Sequence, residues 1–303
     1  MGTFKRGLDE AFVHYLNEEY EKAGWWKDVV DDPALFIGIR DNYLNVYYQG
    51  NSILLLTLDR GRLVGRTHYK FLLRDKIPGN QYIYSADGKM QMSQSAVAGV
   101  FIHDLSNLRS LKAACIPYAG VEKTGVHEII KSNRNVVDVE IALTGQKEDE
   151  LKPTALRFDF AALQERAQTI ELVFFEAKHF SNSELRANRN QTPRVVGQVQ
   201  RYEKLVHRYR EQIESSYRRI CENLVALKGF RAPKIVQAVA EGRKPFLISS
   251  QPRLVIFGFD EDQKNGKVWG NHRDKLYDML GRDRVLLRGN ARGFTSGISH
   301  HLN

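Results

Sequence analysis

Apolar residues recur at helical spacing near the start of the chain. Leu8, Ala11, Phe12, Tyr15, Leu16, Tyr20 and Ala23 fall on one stripe, which predicts a helix over residues 8–27. Four stretches rich in aliphatic and aromatic residues follow, at 35–39, 43–48, 52–58 and 62–73. Asp41-Asn42, Gly50-Asn51 and Arg60-Gly61 lie between them as turn signals, so the pattern predicts an antiparallel meander. Asp87-Gly88 marks a further turn, and helix is expected within 95–114.

The pattern changes near residue 120. A short helix is expected at 125–132, a strand at 136–143 and a charged loop at 146–152. Strands at 156–163 and 169–178 come next. Thr192-Pro193 offers an N-cap and a first-turn proline. The long helix after it carries Val195, Val196, Val199, Tyr202, Leu205, Val206, Tyr209 and Ile213 on its apolar side. A strand at 253–259, a helix at 273–280 and a short strand at 284–288 end the series. The expected organisation is an α+β accessory domain over 1–120 and an α/β domain over 121–303, the latter ordered helix, three strands, helix, strand.

Composition narrows the class. The chain has 303 residues, of which 42% are hydrophobic, enough for a sizeable core. Its 2 cysteines rule out a four-cysteine zinc or iron–sulfur site and argue against a disulfide framework. The N-terminus has no signal-peptide pattern, and the apolar runs at 53–56 and 254–257 are too short to span a bilayer. A soluble cytoplasmic protein without membrane partners is expected. The formal net charge of +9 favours a polyanionic partner, nucleic acid above all.

Three residues stand out against their surroundings. Glu176 and Lys178 lie two apart in an otherwise apolar strand, so they share a face. Asp159 sits in the similarly apolar Arg157-Phe158-Asp159-Phe160-Ala161, and antiparallel pairing of the two strands would bring it beside Glu176. Isolated charges in such strands are costly, so each needs a partner or a task. A buried ion pair is the plain reading. The chemical one is a carboxylate pair that holds a hard cation, with an amine nearby to steady developing charge. On the next helix Gln198 and Tyr202, four apart, share a face close to the end of that strand.

Asp159, then Glu176-Ala177-Lys178, then Gln198-Val199-Gln200-Arg201-Tyr202 resembles the PD-(D/E)xK nuclease superfamily, in its RecB-like branch with a Q-x-x-x-Y element. The resemblance covers about residues 124–260; residues 1–120 resemble no family. It implies a restriction-endonuclease-like core, αβββαβ, with a mixed sheet flanked by helices. It also implies Mg²⁺ or Mn²⁺ held by Asp159, Glu176 and the Ala177 carbonyl, with Lys178 on the attacking water or the phosphate. Gln198 and Tyr202 would order the catalytic face or touch substrate. Asp138 competes with Asp159 for the motif aspartate, although Asp159 lies on the neighbouring strand and is preferred. Glu128 and Glu140 compete for an acidic position often found upstream. Phe158 stands where the motif name has proline.

The expected activity is metal-dependent phosphodiester hydrolysis, on DNA before RNA, with endo- or exonuclease action open. The compact architecture is similar to prokaryotic antiviral defence effectors. The alternative is a nucleic-acid-binding or assembly module that keeps the fold without cutting; a third reading lets the N-terminal domain gate the site, or join a partner or a second copy. Arg186, Arg189, Arg194 and Arg201 are expected to contact phosphates. The more distal cations of that helix, and Arg282, Arg284, Arg288 and Arg292, read as ordinary surface. His179 reads as surface too, Trp25-Trp26 as a packing anchor or interface, and the meander tyrosines Tyr43, Tyr47, Tyr48 and Tyr69 as sheet-face packing.

Overall fold

The protein is seen here in a computed structural model that describes residues 4–68, 71, 82–86, 89–91, 108–143, 156–188 and 190–299. The first helix opens where the sequence supplies a cap: Asp9 accepts a hydrogen bond from the Phe12 amide at 2.8 Å. Helix α1, Glu10–Glu21, buries Phe12 and Leu16. The single helix expected over 8–27 is in fact two, because Gly24 takes a non-helical conformation ahead of α2, Trp25–Asp31. The apolar spacing carries on across this break, so periodicity alone does not reveal it.

Six strands follow: β1 (Phe36–Ile39), β2 (Leu44–Tyr48), β3 (Asn51–Asp59), β4 (Arg62–His68), β5 (Tyr82–Ala86) and β6 (Lys89–Gln91). They pair in chain order as an antiparallel meander. Gln49-Gly50 (φ 46 and 69) and Arg60-Gly61 (φ 48 and 73) both adopt the left-handed backbone that two-residue hairpins require. Helix α3 spans Leu108–Cys115. Tyr69, the Asp87-Gly88 turn and the part of the expected 95–114 helix before Leu108 lie outside the described residues.

The remaining elements are α4 (Val121–Ser132), β7 (Val136–Leu143), β8 (Leu156–Glu165), β9 (Ile170–His179), α5 (Arg194–Arg208), α6 (Arg210–Ala226), α7 (Lys234–Ala240), β10 (Phe246–Ile248), β11 (Arg253–Phe257), α8 (Glu261–Asn265), α9 (Lys267–Leu280) and β12 (Val285–Leu287). The sheet order is β12-β11-β9-β8-β7, with β10 beside the start of β9. Strands β7, β8 and β9 run antiparallel, whereas β9, β11 and β12 run parallel, so this is a mixed α/β fold. Burial on both faces explains why β9 and β11 read as almost unbroken apolar runs. On one face Leu254 and Ile256 pack with Val195, Val196 and Val199 of α5 and with Trp269 and Leu276 of α9. On the other, α4 lies so close to Phe257 that a Cβ at Gly125 would come within 2.0 Å of the ring.

The long helix expected after residue 193 is divided at Tyr209 into α5 and α6. Pro193 itself occupies the cap position of α5, and no side chain caps it. Helix α7 and strand β10 have no counterpart in the sequence reading. No helix among the described residues is long and apolar enough to cross a membrane.

The chain divides into two compact units, each drawn from separate stretches of the sequence. One comprises Arg6–Thr124 with Arg219–Ala232; the other comprises Met1–Lys5, Gly125–Arg218 and Pro233–Asn303. Within the first, Leu8 is held at both backbone groups. Its amide donates to Asn223 Oδ1 at 2.8 Å, and its carbonyl accepts from Arg219 at 3.1 Å.

Candidate active site

Strands β8 and β9 pair from Phe160↔Phe175 to Glu165↔Ile170. One more step of that register sets Asp159 across from Glu176, and residues opposed in this way are close neighbours. The ladder does not take that step. Instead the Asp159 carboxylate accepts the Ala177 amide at 2.7 Å, while β9 continues against β11 on its other edge.

Two aromatic stacks locate a break in the strand alternation. Phe160 stacks on Phe175 with centroids 4.7 Å apart, and Phe158 on Phe174 at 4.6 Å. Phe174 and Phe175 are neighbours on β9 and so point to opposite faces. Phe158 and Phe160, two apart on β8, must then do so as well, and the reversal falls at Asp159. Strand β7 has a matching irregularity. Glu140 has φ 50, unusual for a non-glycine residue, and the pairs Val139↔Phe160 and Ile141↔Phe158 set it across from Asp159. Glu140, Asp159 and Glu176 thus occupy one row across three strands.

Glu176 is 2% exposed and Lys178 8%. Charges so withdrawn from water need close partners. Lys178 Nζ lies 2.8 Å from Glu176 Oε1 and 3.0 Å from Glu184 Oε2. Gln198 Nε2 donates to the same Glu176 oxygen and to the Tyr202 hydroxyl, each at 2.8 Å. The Tyr202 hydroxyl in turn donates to the Arg157 carbonyl, on the stretch of β8 beyond its ladder with β9. The Tyr202 ring lies on Phe158 at 4.1 Å between centroids. Gln198 and Tyr202 therefore bridge the opening between the two strands and fix Glu176. Tyr202→Phe is expected to cost about 0.5–1.5 kcal/mol, the net worth of the hydrogen bond to the partly buried Arg157 carbonyl. Urea denaturation measures this, and an unchanged midpoint would show that the hydroxyl holds nothing.

The electrostatics follow from the crowding. Burial raises the Asp159 carboxyl well above the usual carboxylate range, and Glu176 and, more weakly, Glu140 add to the rise. The Ala177 amide and Lys178 oppose it. Tyr202 is pushed upward by burial first and by Glu176 second. Two carboxylates that repel each other, Glu176 buried and Asp159 half-buried, favour a positive charge between them. Among the described residues no group of three or more His, Cys, Asp or Glu is arranged to hold a metal. An ion here would draw on Asp159, Glu176, the Ala177 carbonyl and solvent, an all-oxygen set that suits Mg²⁺ or Mn²⁺. Such an ion would ease the mutual repulsion of the acids.

Other residues singled out in the sequence fall elsewhere. Asp138 is fully buried and accepts from Tyr217 at 3.0 Å, in a structural contact. Glu128 pairs with Arg292 at 3.5 Å, and Glu140 with Arg157 at 3.6 Å. Arg186 is turned inward: it donates to the carbonyls of Phe180 and Asn182 at 2.6 and 3.0 Å and lies over the Phe180 and Trp269 rings. It braces the loop after β9, which Lys275 of α9 also ties through the Asn188 carbonyl at 2.7 Å. Arg189 lies outside the described residues. Arg194 and Arg201 are exposed on α5. Glu184 is the partner that sequence reasoning missed; its one signal is an acid in the otherwise basic loop just past Lys178. No protein family, curated protein or solved structure matches the chain.

Proposed function

We propose that the chain is a divalent-metal-dependent nuclease with a restriction-endonuclease-like core of the PD-(D/E)xK type, acting on DNA. The observation that carries this reading is the meeting of Asp159 and Glu176 where β8 and β9 part, with Lys178 on Glu176. A structural ion pair needs one acid; here Glu140 and Asp159 extend a row of like charge that raises Asp159 against its own ionisation. Such crowded acids favour a bound cation, or a proton in its place.

The chain's own residues divide the work. Asp159 and Glu176, with the Ala177 carbonyl, would hold the ion. When bound, the ion supplies an acidified water and a counter-charge for the phosphate. Lys178, held between Glu176 and Glu184, carries a positive charge beside the acids, where it can orient the attacking water or offset charge on the phosphate oxygens. Gln198 fixes the Glu176 oxygen that Lys178 also touches, and Tyr202 fixes Gln198. A defence role fits a compact nuclease joined to a separate unit and stays part of this proposal, as do a cytoplasmic setting and a partner or second copy on the N-terminal unit.

A binding module without cutting is the second reading. It is favoured by the closed contacts of Glu176 Oε1 with Gln198 and Lys178. Incubation of the purified chain with single-stranded, duplex and supercoiled DNA and with RNA, in Mg²⁺, Mn²⁺ or EDTA, separates the two. Cleavage that EDTA stops is the expected result. Binding without cleavage of any substrate in either ion would hand the chain to the second reading.

A further inference from the structure

Helix α5 carries Arg194, Arg201 and Arg208 at intervals of seven residues, with Lys204 beside them, and all four are exposed. Seven residues are nearly two turns, so the cations form a stripe about 21 Å long. None of the four has an ion-pair partner among the described residues, and the helix's acid, Glu203, turns to Arg284 at 2.5 Å. Elsewhere exposed cations do pair: Lys228 with Glu21, Arg243 with Glu241 and Arg292 with Glu128. The stripe does not serve the helix. Arg194 stands at the positive end of the helix dipole, in a first turn that holds no acid. Gly197, within the stripe, has open space where a Cβ would be, although glycine weakens a helix. Gln198, one turn from both Arg194 and Arg201, is bonded to Glu176, so the stripe begins beside the candidate active site.

We infer that this stripe is a track for the phosphodiester backbone of a nucleic-acid strand leading to Glu176, an assignment that rests on the nuclease reading for its direction. Each cation takes a phosphate, and Gly197 lets the strand approach the helix backbone. Contacts of this kind carry no base information, so the grip is independent of sequence.

The test is binding of short fluorescent DNA, single-stranded and duplex, by anisotropy in EDTA over a range of salt concentrations. Replacing all four cations by glutamine (Arg194→Gln, Arg201→Gln, Lys204→Gln, Arg208→Gln) is expected to reduce the slope of log affinity against log salt. The reduction is about 3–4 on duplex and about 3 on single strands. Each single substitution should remove about one. Arg194→Lys, Arg201→Lys and Arg208→Lys together should keep the slope. Melting curves show whether each variant is folded, and the single variants carry the test if the fourfold one is not. Slopes unchanged on both probes, or lost equally in the lysine variant, would overturn the track. Because the measurement needs no cleavage, a chain that binds in this way yet never cuts would sink the nuclease reading alone.

Discussion

Asp159→Asn is expected to lower metal-dependent cleavage by at least about 10²–10³-fold, the scale of losing one preorganised charge, while raising the stability of the metal-free protein. The two effects have one cause. Burial and Glu176 raise the Asp159 carboxyl, so the native state holds a proton over a range in which the unfolded chain has released it. Such a group leaves stability whole at pH below the ordinary carboxylate value and erodes it as pH climbs toward the raised one. Asparagine keeps an oxygen for the Ala177 amide and carries no charge, so the erosion disappears. In EDTA the melting temperature of the natural chain should fall from mildly acidic to neutral pH, with the variant increasingly above it. A variant that melts at or below the natural chain at neutral pH would show that the acids are not held against their ionisation. Retained cleavage would remove Asp159 from the chemistry.

Lys178→Met should destabilise the fold by about 3–5 kcal/mol, because it strands Glu176 at 2% exposure without its cation. Adding Glu176→Gln should return much of that loss, since the neutral amide no longer needs a counter-charge. Chemical denaturation of both single variants and the double variant gives the coupling. Purely additive losses would mean that the contact between the two side chains contributes nothing.

The candidate cluster was legible in the sequence because its members violate their surroundings. Glu176 and Lys178 interrupt an apolar strand, Asp159 interrupts another, and Gln198 and Tyr202 repeat at one helical turn. The structure brings these five together. What the sequence hid is the way they are held. The reversal at Asp159 lies across from a left-handed residue at Glu140, and glutamate gives no hint of that backbone. Glu184 and Arg186 sit in a loop without periodicity, whose composition reads as a phosphate grip. In the folded chain Arg186 faces the Phe180 and Trp269 rings and Glu184 faces Lys178. In the meander, turn pairs such as Arg60-Gly61 announced themselves, since glycine marks the positive φ a hairpin needs. The divisions at Gly24 and Tyr209 did not, because apolar spacing continues through both.

A single boundary near residue 120 was the simplest expectation, and the chain does not follow it. Residues Arg219–Ala232 belong with Arg6–Thr124, where Asn223 and Arg219 hold Leu8, and the Lys228 amide donates to Asn17 at 2.8 Å. Genetic dissection must respect that excursion. A clone that starts after Thr124 would still encode Arg219–Ala232 but strip that segment of its docking partners, and a clone that stops there would lack a piece of its own unit. Loss of expression in either case would report a torn fold, so communication between the halves is better probed by point changes than by deletion.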